Sequence, residues 1–585
     1  MRPGSNIPRK KVALKPNLIR IVKTFKPYYS QLLISLVCVA ISVIAMILAP
    51  QWMSKLSDVI AESAATMSID MNVIARLCTV LIVFYATNAL MRYISGAIMN
   101  AVTQKYSKQL RGQLSDKINR MKLKYFDSHP YGDTLSIVTN DVDQIGQSMQ
   151  QSVTSMFQSM FMIFGVLIAM FATSWQMALA IFSSIPLTGI SLIIITKFTM
   201  PLFKRRQDEI GVVNSIVEEN ITGQMVIKAF NAEKSKNAIF NDANESLHKT
   251  MFKAQTLGGL MQPMTNFVSY FGYAMVCLVG GLLLAKGKGG ITFGTITAFM
   301  SYVNMFQSPL SEISQSMNSL QMAAASASRV FGFLDEEEQD DESNKESLLD
   351  PEKVKGAISF ENVKFGYDPD KTIISDFSAN IEPGMKVAIV GPTGAGKTTI
   401  VNLLMRFYET GSGDIKIDGV SIHDMSRKEL RSIFGMVLQD TWIFEGTLRD
   451  NIVFSSPNIT DERLNTILKE TNLQYYVSTL SNGVDTELKE EGSLSSGQRQ
   501  LVTIARAMAE NAPMLILDEA TSNVDTRTEI EIQEAMDRLT HGRTSFVIAH
   551  RLSTIRNADL ILVMNNGNII EMGKHQELLE AGGFY

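Results

Sequence analysis

At 585 residues the chain is too long for one hydrophobic core, so two or more domains are expected. Its net charge of −4 and pI near 6.0 speak against the basic face of a nucleic-acid-binding protein. The cysteines, Cys38, Cys78 and Cys277, are too few and scattered for a disulfide framework or a metal site and read as small core hydrophobes.

Residues 1–57 hold no Asp or Glu, while Arg2, Arg9, Lys10, Lys11, Lys15, Arg20, Lys23 and Lys26 precede the first apolar run. A basic leader of this kind predicts a cytosolic N-terminal segment, residues 1–29. The run Leu32–Pro50 is long for a signal peptide, lacks a small-residue cleavage pattern and is followed by further spans, so it reads as a retained membrane helix. Six apolar segments are long enough to cross a bilayer, at about 30–53, 74–98, 150–172, 176–200, 262–285 and 292–315. They predict an all-α six-helix transmembrane domain over 30–325, integral to the cytoplasmic membrane with both termini cytosolic. A tight hairpin is expected at Ser174-Trp175-Gln176. The polar stretches 100–149 and 202–256 keep a helical period and are too long for turns, so they read as membrane helices continuing into the cytosol. Lys286 and Lys288 fall on the outside against the charge rule, without overturning the leader's bias.

Residues 326–354, with Glu336, Glu337, Glu338, Asp340, Asp341 and Glu342 clustered, read as an acidic, solvated linker. Beyond it, over 355–585, short β-branched runs such as Val387–Val390, Met514–Leu517 and Ser545–Ile548 alternate with helical stretches, the pattern of an α/β domain.

Gly391-Pro392-Thr393-Gly394-Ala395-Gly396-Lys397-Thr398 fits the phosphate-binding pattern G-x-x-x-x-G-K-[ST] after a predicted strand and before a predicted helix. Gly391, Gly394 and Gly396 let backbone N–H groups turn toward a phosphate, Lys397 neutralises its oxygens, Thr398 would ligate Mg2+, and Thr399 follows in the nucleotide-binding stretch. The strand Met514–Leu517 delivers Asp518 and Glu519 to its C-terminal end, where ligands gather in open α/β sheets. Asp518 suits the Mg2+ shell, and Glu519 can polarise the water that attacks the terminal phosphate of ATP.

Leu494-Ser495-Ser496-Gly497-Gln498 resembles the LSGGQ signature of ATP-binding-cassette (ABC) proteins, and the chain as a whole resembles a half-transporter of the multidrug-exporter (type IV) kind. The resemblance implies a Q-loop at Gln439, which also reaches Mg2+, a D-loop at Ser522–Asp525 and a switch histidine at His550. It implies that Gln439, Glu519 and His550 carry the hydrolytic chemistry and that Tyr367 stacks on adenine. It further implies a partner: Ser495, Gly497 and Gln498 would face ATP held by a second half-transporter. Tyr125–Asp133 and Ile221–Gln224 match the segments that transmit cassette closure to the membrane helices, the second often onto the partner's cassette. Thr486–Gly492, with Glu490, partly matches an exporter-specific loop, with Leu488 and Lys489 departing from it.

Ser496 replaces a glycine of the signature, and its side chain would crowd the approach to phosphate. Because Glu519 is intact, the expectation is a bacterial heterodimer in which this chain supplies the catalytic glutamate; a homodimer is the alternative. Met46, Met160, Met162, Met264, Met275, Met300 and Met305 suit hydrophobic or amphipathic cargo such as drugs, lipids or peptides. Gln262, Asn266, Asn304 and Gln307 are candidate cargo contacts. An ATP-gated channel is the competing reading of the same layout, whereas the spans argue against a cassette ATPase acting on nucleic acid.

Overall fold

The computed structural model describes residues 14–67, 70–182, 184–287, 290–368, 370–439, 441–454, 456, 458–488, 494–518, 525–549 and 552–585. The chain divides into two units, Met1–Asn119 with Tyr131–Glu336, and Arg120–Pro130 with Glu337–Tyr585.

The first unit is helical. It contains α1 (Leu14–Thr24), α2 (Tyr29–Thr66) and α3 (Met71–Arg120); α4 (Leu123–Ser128) belongs to the second unit; then follow α5 (Tyr131–Ser136), a π-turn at Ile137–Asp141 and α6 (Val142–Thr173). Next come α7 (Trp175–Phe182), α8 (Ser184–Thr222), α9 (Gln224–Ala229), α10 (Glu233–Gly259), α11 (Met261–Ala285) and α12 (Phe293–Asp335). Among the described residues four helical stretches are long and apolar enough to cross a membrane: Lys26–Ala64, Met71–Arg120, Tyr131–Thr173 and Glu233–Ala285. The expected spans at 176–200 and 292–315 fall on α7–α8 and on α12. Between Leu32 and Pro50 α2 carries no charged residue, and Leu33, Ile34 and Val37 remain exposed, as they do when the solvent is lipid. Where helices meet, small polar groups join them: Ser35 with Ser95 at 2.8 Å, and Asn88 donating to the Ser42 carbonyl at 2.9 Å.

The expected hairpin between α6 and α7 is one extended residue, Ser174, whose N–H bonds the Met170 carbonyl at 3.0 Å. The polar stretches are helical: α3 runs 50 residues without a break, and α8 runs 39. His129 is extended ahead of Pro130 and ends α4, as a residue before proline favours. Met162, Met300 and Met305 pack against the core shared by α2, α6, α7, α11 and α12, so these methionines fill space between helices. Cys38 is buried as expected, but Cys277 is exposed.

In the second unit the strands are β1 (Ile358–Phe365), β2 (Ile374–Ile381), β3 (Lys386–Val390), β4 (Ser412–Ile417), β5 (Val420–Ser421), β6 (Phe434–Val437), β7 (Gly446–Thr447), β8 (Glu487–Leu488), β9 (Met514–Asp518), β10 (Thr544–Ile548), β11 (Leu560–Asn565) and β12 (Asn568–Gly573). The helices are α13 (Lys397–Leu404), α14 (Arg427–Ser432), α15 (Leu448–Ile452), α16 (Asp461–Glu470), α17 (Gln474–Thr479), α18 (Ser496–Glu510), α19 (Thr526–Thr540), α20 (Leu552–Arg556) and α21 (His575–Ala581). Among the described residues ten strands form one sheet in the order β5-β4-β1-β2-β12-β11-β3-β10-β9-β6. Its centre, β11-β3-β10-β9-β6, is parallel, and β1, β2, β4 and β5 form an antiparallel wing.

Successive side chains on a strand point to opposite faces. Met514, Ile516, Phe546 and Ile548 thus share a core with Ile400, Val401, Leu403 and Leu404 of α13. Leu515, Leu517 and Val547 share the other with Leu501, Val502, Ile504 and Ala505 of α18. α13 and α18 therefore cover opposite faces of the same strands.

The acidic segment departs from expectation twice. Residues 326–335 are the last turns of α12. Beyond them the chain is fastened: the Glu342 carboxylate, 10% exposed, pairs with Arg406 at 2.9 Å and Arg427 at 3.2 Å. The Glu429 carboxylate accepts from the N–H groups of Leu348 and Leu349 at 2.7 and 2.5 Å. Composition reports only the linker's own charge; the countercharge comes from residues distant in sequence.

Candidate active site

β3 ends at Val390, and the chain turns through Gly391, Gly394 and Gly396, with φ of 152°, 84° and 99°, into α13. A side chain at Gly391 would put its Cβ 2.2 Å from the Met564 carbonyl oxygen, and one at Gly396 would lie 2.7 Å from Ile374 Cδ1. Gly394 faces open space, so there only the left-handed backbone requires glycine. The result is a backbone loop closed over the start of a helix, whose free N–H groups and dipole favour an anion.

Lys397, the first residue of α13, is 8% exposed and donates to the carbonyls of Gly391 and Pro392 at 2.7 and 3.1 Å. Burial pushes its ammonium below the ordinary lysine value, and the charge of Asp518 opposes that shift. Thr398 is exposed and Thr399 buried. Asp518 lies level with Ile548 on β10, which lies level with Ile389 on β3, so the carboxylate stands at the sheet edge from which the phosphate loop leaves. Gln439 is exposed two residues past Val437, which pairs with Leu517 on the same edge. A hydroxyl, an amide and a carboxylate offer hard oxygen donors. Among the described residues no cluster of three or more His, Cys, Asp or Glu sits together. Few protein oxygens, completed by phosphate and water, suit Mg2+.

Tyr367 follows β1, and its hydroxyl lies 3.3 Å from Thr399 Oγ1 and accepts from Asn402 Nδ2 at 3.3 Å. Sequence reasoning passed over Asn402, although its i, i+3 spacing from Thr399 puts both on one side of α13. Ser495 caps α18: its hydroxyl accepts from the Gln498 N–H at 3.2 Å, while the Gln498 amide accepts from the Ser495 N–H at 2.9 Å. Gly497 is buried in the first turn. Tyr367, Gly391–Thr399, Gln439 and Asp518 are thus placed around one sheet edge and one helix, whereas Ser495, Gly497 and Gln498 open a helix on the opposite face. Asp525 caps α19, accepting from the Arg527 and Thr528 N–H groups at 3.1 and 3.0 Å. Glu519, Ser522–Val524, His550 and Lys489–Ser493, with Glu490, lie outside the described residues.

The family model of the ABC transporter transmembrane region matches residues 32–310, and that of the ABC transporter matches residues 374–522. A fatty acid ABC transporter ATP-binding/permease protein of Mycobacterium bovis is 43% identical over 518 residues, covering 88% of this chain and 81% of that protein. The chain belongs to the ABC transporter family. An ATP-dependent lipid A-core flippase of Syntrophus aciditrophicus is 33% identical over 569 residues, 97% of this chain and 93% of its own. A probable multidrug resistance ABC transporter ATP-binding/permease protein of Bacillus subtilis is 35% identical over 500 residues, 84% of this chain and 72% of its own. This ABC transporter is an integral membrane protein that carries its helical membrane region and its ATP-hydrolysing domain on one chain, and it couples ATP hydrolysis to transport.

Proposed function

We propose that the chain is one half of a dimeric exporter that moves hydrophobic or amphipathic compounds (drug, lipid or peptide) outward across the cytoplasmic membrane by alternating access, with both termini in the cytosol. The observation that carries the dimer is the placement of α13 and α18 on opposite faces of one sheet. A chain so built offers its phosphate loop and its signature helix to two different nucleotides. ATP held by Gly391–Thr399 and stacked on Tyr367 would then meet Ser495, Gly497 and Gln498 of a second subunit, whose N–H groups answer the charge of the γ-phosphate. Thr398, Gln439 and Asp518 would hold Mg2+, which neutralises phosphate charge when bound. On the family resemblance, Glu519 would polarise the attacking water, and Gln439 and His550 would carry the hydrolytic chemistry with it. Loss of that phosphate removes the link between subunits.

The exposed apolar tip formed by Ile221, Met225, Val226 and Phe230 supports docking of the α8–α9 turn on a partner's cassette. Trp442, Phe444 and Phe454, exposed on the second unit, offer a matching apolar surface for such a partner. The names of the relatives, which concern fatty acid, lipid A-core and multidrug transport, support lipophilic cargo. Ser496 favours a heterodimer in which this chain's Glu519 works with an unaltered partner signature. The test is transport into inside-out vesicles bearing the chain with and without a partner half-transporter. Accumulation of a lipophilic dye against its gradient, dependent on ATP, is expected; equilibration without accumulation would indicate a channel. Full, cargo-stimulated ATPase activity of the chain alone would exclude the obligate heterodimer.

A further inference from the structure

Two distant segments of the chain are anchored to the turn after α13, residues 405–410. Arg406, at φ 50°, is 6% exposed. Its guanidinium pairs with Glu342 at 2.9 Å and Glu409 at 2.9 Å and donates to the Met425 carbonyl at 3.0 Å. Glu342 lies on the chain that leaves α12. Two residues on, the Tyr408 hydroxyl donates to the carboxylate of Asp127. Asp127 sits in α4, the short helix between α3 and α5 that clusters with the second unit although its neighbours in sequence belong to the first. Tyr125 braces α4 by stacking on His129 at 4.1 Å.

Tyr408 also meets Tyr367 edge to face, ring centres 4.9 Å apart at 88°, and Phe365 at 5.7 Å. Burial and the neighbouring Asp127 charge push the Tyr408 phenol well above its ordinary value, so it stays a proton donor. A phenol donating to an ionised carboxylate makes a charge-assisted bond, stronger than a neutral one.

We infer that the turn at 405–410 is a base-sensing relay: adenine stacked on Tyr367 fixes Tyr408, which fixes Asp127 and α4, while Arg406 holds the α12 side of the chain to the same turn. The inference rests on the reading that Tyr367 stacks on adenine. Tyr408 is a positioning residue. Its ring packs edge-on to Tyr367, so a base that immobilises Tyr367 lowers the entropic cost of the Tyr408–Asp127 bond. Coupling of this kind is reciprocal: if adenine tightens the bond, the bond tightens adenine. The relay therefore answers to the base, and a ligand that fills only the phosphate loop leaves α4 unaffected.

Hydrogen exchange on the full-length protein in nanodiscs, with ATP or inorganic tripolyphosphate as probe, tests this on wild type, Tyr408→Phe and Asp127→Asn. In wild type, both ligands are expected to protect residues 391–399, and ATP alone to protect 123–128. Both variants are expected to lose protection of 123–128 while keeping ATP protection of 391–399, and to bind ATP more weakly with tripolyphosphate affinity unchanged. Persistence of ATP protection of 123–128 in the variants, or equal protection by tripolyphosphate in wild type, overturns the relay. Absence of protection of 391–399 by ATP in wild type overturns the nucleotide reading itself and the relay with it. Two variants approaching the bond from opposite ends guard against a folding defect in either.

Discussion

Gly391 and Gly394 look alike in a motif but answer to different constraints. A methyl group on Gly391 would collide with the fixed Met564 carbonyl at 2.2 Å, whereas on Gly394 it would meet nothing within 4 Å. Gly391→Ala is therefore expected to unfold or distort the loop and abolish ATP binding. Gly394→Ala should cost only the left-handed backbone penalty of about 1–2 kcal/mol. Thermal unfolding and nucleotide titration of both variants check the contrast; equal losses would contradict it. The need for glycine was legible at all three positions of the motif. Which need is steric and which conformational was not, because Met564 is far away in the chain and arrives only through β11.

Among elements, the junction of α2 with α12 illustrates how a helix start is secured. The Asp58 carboxylate accepts from the Gly294 N–H at 2.7 Å and the Thr292 hydroxyl at 2.8 Å, and Thr292 closes its own capping box with Thr295. An anion at a helix N-terminus satisfies orphan donors and meets the dipole. Asp58→Ala is expected to destabilise the membrane unit by about 1 kcal/mol, the usual worth of a cap. Gly294→Ala should do more harm, since its Cβ would lie 2.0 Å from the Ser54 carbonyl. Unfolding in detergent ranks the two.

The fastening of the segment after α12 carries its own pH dependence. Burial pushes Glu342 up, but the Arg427 N–H and the Arg406 charge outweigh it and hold the carboxyl below its ordinary 4.5. Glu409 is likewise raised by burial and lowered further by His423 and Arg406. Carboxyls lowered by folding stabilise above the unfolded value, and that stability disappears as pH falls through the folded one. Glu342→Gln should thus lower stability at neutral pH by about 1–3 kcal/mol. The gap from wild type should narrow as pH drops below 4.5, the ordinary glutamate value; melting curves across pH 3–7 reveal whether it does.

At the scale of the whole molecule, two variants test the proposed division of labour between subunits. Glu519→Gln is expected to leave nucleotide binding in place while abolishing turnover, so ATP should accumulate closed dimers visible by size and cross-linking. Sustained hydrolysis would point to another base. Ser496→Gly should raise the ATPase activity of the chain alone, because it restores the close approach that the signature needs. No change would remove the reason for expecting a heterodimer.

Sequence alone determined the broad plan. Apolar runs the length of a bilayer, a phosphate-loop pattern set between strand and helix, and paired acids after an apolar strand are local in the chain, and their chemistry follows from spacing. Only the tertiary structure decided that α13 and α18 lie on opposite sides of one sheet, that an acidic stretch is pinned by Arg406 and Arg427, and that Asp127 meets Tyr408. Each of these joins residues far apart in sequence, and period and composition register neighbours along the chain but not partners brought together by packing.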